Sequence, residues 1–334
     1  MADQAPVDHP FARLTNLADP RLGAVIVNAT DDWFGPPERM LKVAEPVFLP
    51  EEFDERGKWM DGWETRRRRG EGHDHAIIRL GFAGTLRGIE IDTRHFTGNY
   101  PPAASLDACY CTSGDPGAGT KWVQVLASVT LKGNDRQFQA IPDNGLYSHV
   151  RLNIYPDGGI ARLRVYGEPG CDWQAHDASE LIDLLALRYG GRALTCNDEH
   201  FGSIQNLNLP GRGSNMGDGW ETRRRREPGN DWALLALGHA GIVRAVEVDT
   251  AFFLGNYPDR CSIQGAHMHG GTVESLITQS MFWRDLLPEQ PLGPDTNHRF
   301  ETQLIDIGPI THIRLTIIPD GGISRLRLYG NIVR

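Results

Sequence analysis

The nine residues "DGWETRRRR" at 61–69 recur without a change at 218–226, a displacement of 157. The same displacement carries "EIDTRHFTGNYP" (90–101) onto "EVDTAFFLGNYP" (247–258). A displacement of 163 aligns "IYPDGGIARLRVYG" (154–167) with "IIPDGGISRLRLYG" (317–330), so the second copy gained six residues in between. Upstream, "DDWFG" (31–35) meets "DEHFG" (198–202), and the second copy lacks ten residues before its arginines. The period is domain-sized rather than solenoid-sized, so a chain of 334 residues has to form two like domains, each with its own core.

Within each copy the pattern is that of short strands and turns. "AIIRLG" and "LRGIEIDT" are β-rich runs around a glycine-containing turn, as are "ALLALG" and "VRAVEVDT". In "HVRLNIYPDGG", alternation puts Val150, Leu152 and Ile154 on one face and His149, Arg151 and Asn153 on the other. The expected fold is therefore all-β, two tandem jelly-roll or β-sandwich domains over residues 15–170 and 171–334, after a loose tail at 1–14. "DASELIDLLALRYGG" between the copies, with Asp177 and Glu180 spaced as a capping box and Gly190-Gly191 as a stop, predicts a short helical junction.

Four successive arginines suggest nucleic acid, but 34 basic against 43 acidic residues oppose a protein that binds by neutralising many phosphates. No secretion signal and no apolar run of membrane-spanning length is evident, which excludes a membrane partner and points to the cytoplasm. Five cysteines cannot all pair, and Cys109 and Cys111 are too close along one strand to bridge easily, so free thiols in a reducing compartment are expected.

Glycines around the run make it extended or looped rather than helical. Guanidinium forks grip carboxylates through two parallel bonds, so Arg66, Arg67, Arg68 and Arg69, with Arg223, Arg224, Arg225 and Arg226, are candidate ligands for a small anion. The competing account makes them ion-pair networks on a solvated face, with Trp63 and Trp220 in the core.

"DGWETRRRR", "IIRLG", the "GNYP" block and the terminal "PDGGIARLRVYG", in this order and in both copies, resemble the allantoicase family. That resemblance implies two jelly rolls of galactose-binding-like type and conversion of allantoate and water to ureidoglycolate and urea. Such a substrate asks for an arginine fork for its carboxylate and for amide donors and acceptors facing its ureido groups, which Asn99 and Asn256 can supply. Breaking its carbon–nitrogen bond asks for an acid to protonate the departing urea and a base to activate water. Glu64 and Glu221 are the first candidates, Asp61 and Asp218 the second.

Other signals carry less. Asp92, Asp249, Asp157 and Asp320 lie where strands enter turns, an ordinary place for Asp. His149 and His312 are duplicated but sit on a polar strand face. His267 and His269 in "HMH" would share a strand face, offering proton transfer or two metal ligands. "GHDH" at His73 and His75 is a weaker version. Tyr110 and Cys111 are the first-copy counterparts of "HMH", and the imidazoles make the second copy the expected working site. No cofactor is required, a divalent metal is allowed, and a homo-oligomer is compatible. The rival reading is a tandem carbohydrate-binding or interaction module without chemistry, which should present aromatic platforms rather than guanidinium and carboxylate.

Overall fold

A computed structural model describes residues 9–171 and 173–334, which divide after Gly170 into two compact units. In the first unit the polar/apolar alternation of 74–92 yields one long strand, Asp74–Asp92, whose two halves serve different layers. Its beginning pairs antiparallel with Val25–Ala29 on one side and Leu146–Tyr155 on the other. Its end pairs with Arg136–Ala140 and Arg162–Pro169. Gly84 lies where the halves meet, and a Cβ there would stand 2.6 Å from the Glu168 carbonyl oxygen, so only glycine lets the strand pass. Ala103–Cys109 and then Val123–Thr130 extend the first layer beyond Leu146–Tyr155.

Ile78, Leu106, Val150 and Leu152 from one layer face Ile89, Ile91, Leu163 and Val165 from the other in a single apolar cluster. At roughly 1.5–3 kcal/mol for each fully buried aliphatic side chain, this interior, not the surface ion pairs, holds the sandwich together.

The second unit repeats the plan. Asp231–Asp249 pairs with Arg192–Cys196, Ile310–Ile318, Asn297–Phe300 and Arg325–Ile332, and Arg260–Ala266 and Arg284–Pro291 continue the first layer. An α-helix, Val273–Ser280, occupies the connection 267–283, which is longer than its counterpart 110–122. Thr272 caps it by accepting from the Ser275 amide.

Two expectations need correction. The junction is not one helix. Its helical content is confined to single 3-10 turns, Trp173–Ala175 and Leu187–Tyr189. Ile182–Asp183 instead pairs with Tyr329 and Gly330, burying Ile182, Leu184 and Leu185, so sheet edge and core win over the local capping signal. Of the tail, residues 1–8 lie outside the described residues, but Pro10–Arg13 form a 3-10 turn and Phe11 packs beside Phe138 and Tyr166. Among the described residues no helix is long and apolar enough to cross a membrane.

Candidate active site

The duplicated motif is first a structural clasp. Trp63–Glu64 pairs with Gly159–Ile160, and the buried Trp63 indole donates to the Asp31 carbonyl at 2.8 Å. Thr65 Oγ1 accepts from Gly158 N (3.1 Å), and Asp157 accepts from Arg68 N (2.8 Å). The second copy repeats each bond with Trp220, Asp198, Thr222, Gly321, Arg225 and Asp320. The "PDGG" turn and the arginine run thus hold one another, which explains why both survive in both copies.

The arginines divide by position. Arg66 pairs with Asp31 at 2.7 Å and lies over Trp33, while Arg68 pairs with buried Asp74 at 2.7 Å. Arg223 and Arg225 pair likewise with Asp198 and Asp231. Arg67, Arg69, Arg224 and Arg226 are exposed and make no ion pair among the described residues. Arg223, Arg224, Arg225 and Arg226 line a cleft of about 480 Å³ with Asp198 and Asp231, which does not include Glu221.

Asp61 and Asp218 are each engaged by a buried arginine. Asp61 is buried and accepts from Lys42 (2.7 Å), Arg162 (2.5 Å) and the Val47 amide. Burial alone would raise its pKa, but the Lys42 and Arg162 hydrogen bonds hold it below the ordinary value. Asp218 accepts from Arg325 at 2.8 Å in the same way. Each of the two carboxylates thus holds a buried arginine against the start of the motif.

Glu64 is different. Its Oε1 accepts a hydrogen bond from Asn99 Nδ2 at 2.6 Å, and the Glu221–Asn256 pair repeats this at 2.5 Å. Burial lifts the Glu64 carboxyl above its usual value, and the Asn99 bond offsets this only in part. Glu64 and Asn99 line a cavity of about 500 Å³ with Phe34, Phe48, Lys58, His95 and Asn134. The ten residues absent from the second copy fall between 35 and 61 and carry Phe48, while Lys58 lies over the Phe48 ring at 4.5 Å. His95 is held at a left-handed φ of 72° by a bond from its amide to Asn134, and its Nε2 lies 3.2 Å from the Pro46 carbonyl. A non-glycine residue in that region costs free energy and is common where a site needs a fixed side chain.

In the second copy the counterparts of Lys58, His95 and Thr97 are Asn215, Phe252 and Leu254. Phe252 keeps the left-handed backbone, φ 69°, without the imidazole. The second copy therefore has the Glu–Asn pair without the lysine or the imidazole, and the Arg212 guanidinium lies over the Phe252 ring at 6.0 Å. His267 and His269 do not replace them. Their rings lie 4.7 Å apart, but they follow the strand Arg260–Ala266 at its far end, whereas Asn256 precedes its near end. Seven residues at ~3.3 Å each put the two ends about 20 Å apart. Alternation does not extend to "HMH", which is exposed coil, and Met268 rather than His269 occupies the place of Cys111, each amide bonding the hydroxyl before the strand histidine. Phe48, Lys58 and His95 are not among the residues the sequence points to, because they are not duplicated.

Two tandem β-sandwiches, one enclosing a raised carboxyl, a cation, an imidazole and amides in a single cavity, define an enzyme built by β-sandwich duplication. The model of the allantoicase repeat matches residues 15–170 and 182–333. A probable allantoicase of Pseudomonas paraeruginosa is 57% identical over 324 residues, covering 97% of this chain and 98% of its own. Probable allantoicase 1 of Burkholderia mallei is 56% identical over 320 residues, covering 96% and 95%. The crystal structure of allantoicase from Saccharomyces cerevisiae superposes with a TM-score of 0.79 at 34% identity, over 95% of this chain and 92% of that one. The chain belongs to the allantoicase family.

Proposed function

We propose that the cavity around Glu64 is where this chain carries out the conversion of allantoate and water to ureidoglycolate and urea. The observation that carries this reading is the Glu64 carboxyl, raised by burial and held by Asn99 beside Lys58 and His95. Lys58 faces the substrate carboxylate, and Asn99, Asn134 and Thr97 face the ureido groups. His95 in its protonated form gives a proton to the nitrogen of the departing urea as the carbon–nitrogen bond breaks and its electron pair goes to that nitrogen. The lone pair of the remaining ureido nitrogen leaves an N-carbamoyl iminium carbon. Water adds to this carbon while Glu64 takes the water proton, and solvent returns the protons to their starting places. A raised pKa makes Glu64 the stronger base for that step.

On this reading the first copy is the working one, the reverse of the sequence expectation, and the exposed arginines are not the substrate fork. Soaking crystals of a Glu64→Gln variant with allantoate tests it. Substrate density between Lys58 and Asn99 is expected, and density confined to the cleft at Arg223 and Arg224 would move the site. The unbridged thiols of Cys109, Cys111, Cys196 and Cys261 support a cytoplasmic setting, and exposed Met281 and Phe282 offer a surface for a homo-oligomer that sedimentation would reveal.

A further inference from the structure

The end of the first sandwich remote from Glu64 gathers soft ligands that the reaction does not use. Cys109 closes the strand Ala103–Cys109, Cys111 follows it, and His149 stands directly across from Cys109 on the neighbouring strand. One ligand atom from each lies within 4.8 Å of the other two. A tetrahedral zinc ion with Zn–S near 2.3 Å holds its sulfurs about 3.8 Å apart, so closing the cluster takes shifts of about 1 Å. Cys111 is in coil, where such a shift is a rotamer change rather than a break in the sheet.

The imidazole is already oriented. Ser148 Oγ lies 2.9 Å from His149 Nδ1 and accepts from the Cys111 amide at 2.8 Å, so one hydroxyl positions both the ring and the second thiol. The other nitrogen, Nε2, points to Asp115 Oδ1 at 3.2 Å. That carboxylate, paired with Arg79 at 3.0 Å, lies beside the imidazole and outside the three-residue cluster, so it joins as a fourth ligand by a rotation of its exposed side chain.

The second copy serves as an internal comparison. Thr311 and His312 repeat the hydroxyl–imidazole contact at 2.8 Å, and Met268 repeats the amide bond to that hydroxyl. Ala266 and Met268 stand where Cys109 and Cys111 stand in the first copy. The shared bonds account for the fold at this corner, and the two thiols are what the first copy adds.

We propose that Cys109, Cys111, His149 and Asp115 form a binding site for a borderline-soft divalent cation of the zinc class, remote from the catalytic cavity. Binding replaces the two thiol protons with metal–sulfur bonds, releases both protons to solvent and changes no oxidation state. The ligands draw together the strand Ala103–Cys109, the strand Leu146–Tyr155 and the loop 110–122, so the site is structural.

The test uses the full-length protein, reduced and stripped by a chelator, and titrated with Co²⁺ as a spectroscopic probe and then with Zn²⁺. Thiolate-to-cobalt charge-transfer absorption saturating at one equivalent, displaced by Zn²⁺, is expected. The double variant Cys109→Ser and Cys111→Ser should lose the band altogether while still releasing urea, and Asp115→Asn should weaken Zn²⁺ binding by about 10–100-fold. If the double variant does not fold, Zn²⁺ protection of two wild-type thiols from a thiol reagent provides the second readout. Cobalt bound without thiolate absorption, thiols unprotected by Zn²⁺, or a Cys109–Cys111 disulfide in place of metal binding would overturn the proposal.

Discussion

Replacing Glu64 with Gln separates chemistry from packing at the proposed site. Gln keeps the shape, and its carbonyl can still accept from Asn99 Nδ2, now 2.6 Å from Glu64 Oε1. Turning a charge-assisted bond into a neutral one costs about 1 kcal/mol, and relieving a partly buried carboxylate of its desolvation acts in the opposite direction. The fold should therefore survive, with stability within about 1 kcal/mol of wild type. The rate should not, because a positioned base contributes roughly 10²- to 10⁴-fold, or about 3–5 kcal/mol of barrier. Glu221→Gln makes the same change beside Asn256, where Asn215 and Phe252 stand in place of Lys58 and His95, and should leave kcat within about twofold of wild type. Urea release under initial-rate conditions gives kcat and KM for both, with melting curves as the folding control. A Glu221→Gln loss matching that of Glu64→Gln, or a fully active Glu64→Gln, would refute the one-cavity reasoning.

The pH dependence of the wild type carries a sign as well. A base raised by burial must lose its proton before it works, so the acid limb of kcat/KM should lie above the ordinary glutamate value of 4.5 and should vanish in the residual activity of Glu64→Gln. For stability the same raised pKa favours the folded state below pH 4.5, and that advantage is lost as pH rises through the folded value. Lys58→Met should raise KM for allantoate by about 10–100-fold with folding unchanged, read from saturation curves. His95→Phe, which copies the second repeat, should lower kcat by roughly 10²-fold or more. Asp61→Ala strands the fully buried Arg162 without its carboxylate and should cost about 3–5 kcal/mol in denaturant melts. Since Asp61 titrates below 3.8, its contribution should be present above that pH and be lost as pH falls through the folded value. Arg67→Ala should change stability by no more than about 0.5 kcal/mol.

Duplication and alternation made the sandwiches legible, because a period of two and a shared order of blocks are properties of the chain itself. The Glu64–Asn99 pair was legible for the same reason, since both partners recur at one displacement. Phe48, Lys58 and His95, which the proposed reading adds, fall outside that pattern, because a site built by divergence between copies is invisible to a search for what they share. Guanidinium chemistry says what a side chain can grip, but not that Asp31, Asp74, Asp198 and Asp231 already engage half of the run. The sequence also does not say that His267 and His269 follow one end of the strand Arg260–Ala266 while Asn256 precedes the other. The junction looked helical because its capping signal is local, and the sheet edge that captures Ile182 comes from residues near the C-terminus.

Each unit opens and closes at one edge: Thr15 and Asn16 pair with Gly167 and Tyr166, and Ile182 and Asp183 pair with Gly330 and Tyr329. The chain thus leaves each sandwich beside the point where it entered. During synthesis the first unit has every one of its strand partners as soon as residue 169 clears the ribosome, before any strand of the second has emerged to compete for them. Nascent chains carrying two nearly interchangeable sets of strands are exposed to cross-pairing between copies, and this order of emergence removes the opportunity by completing one sheet before the other begins.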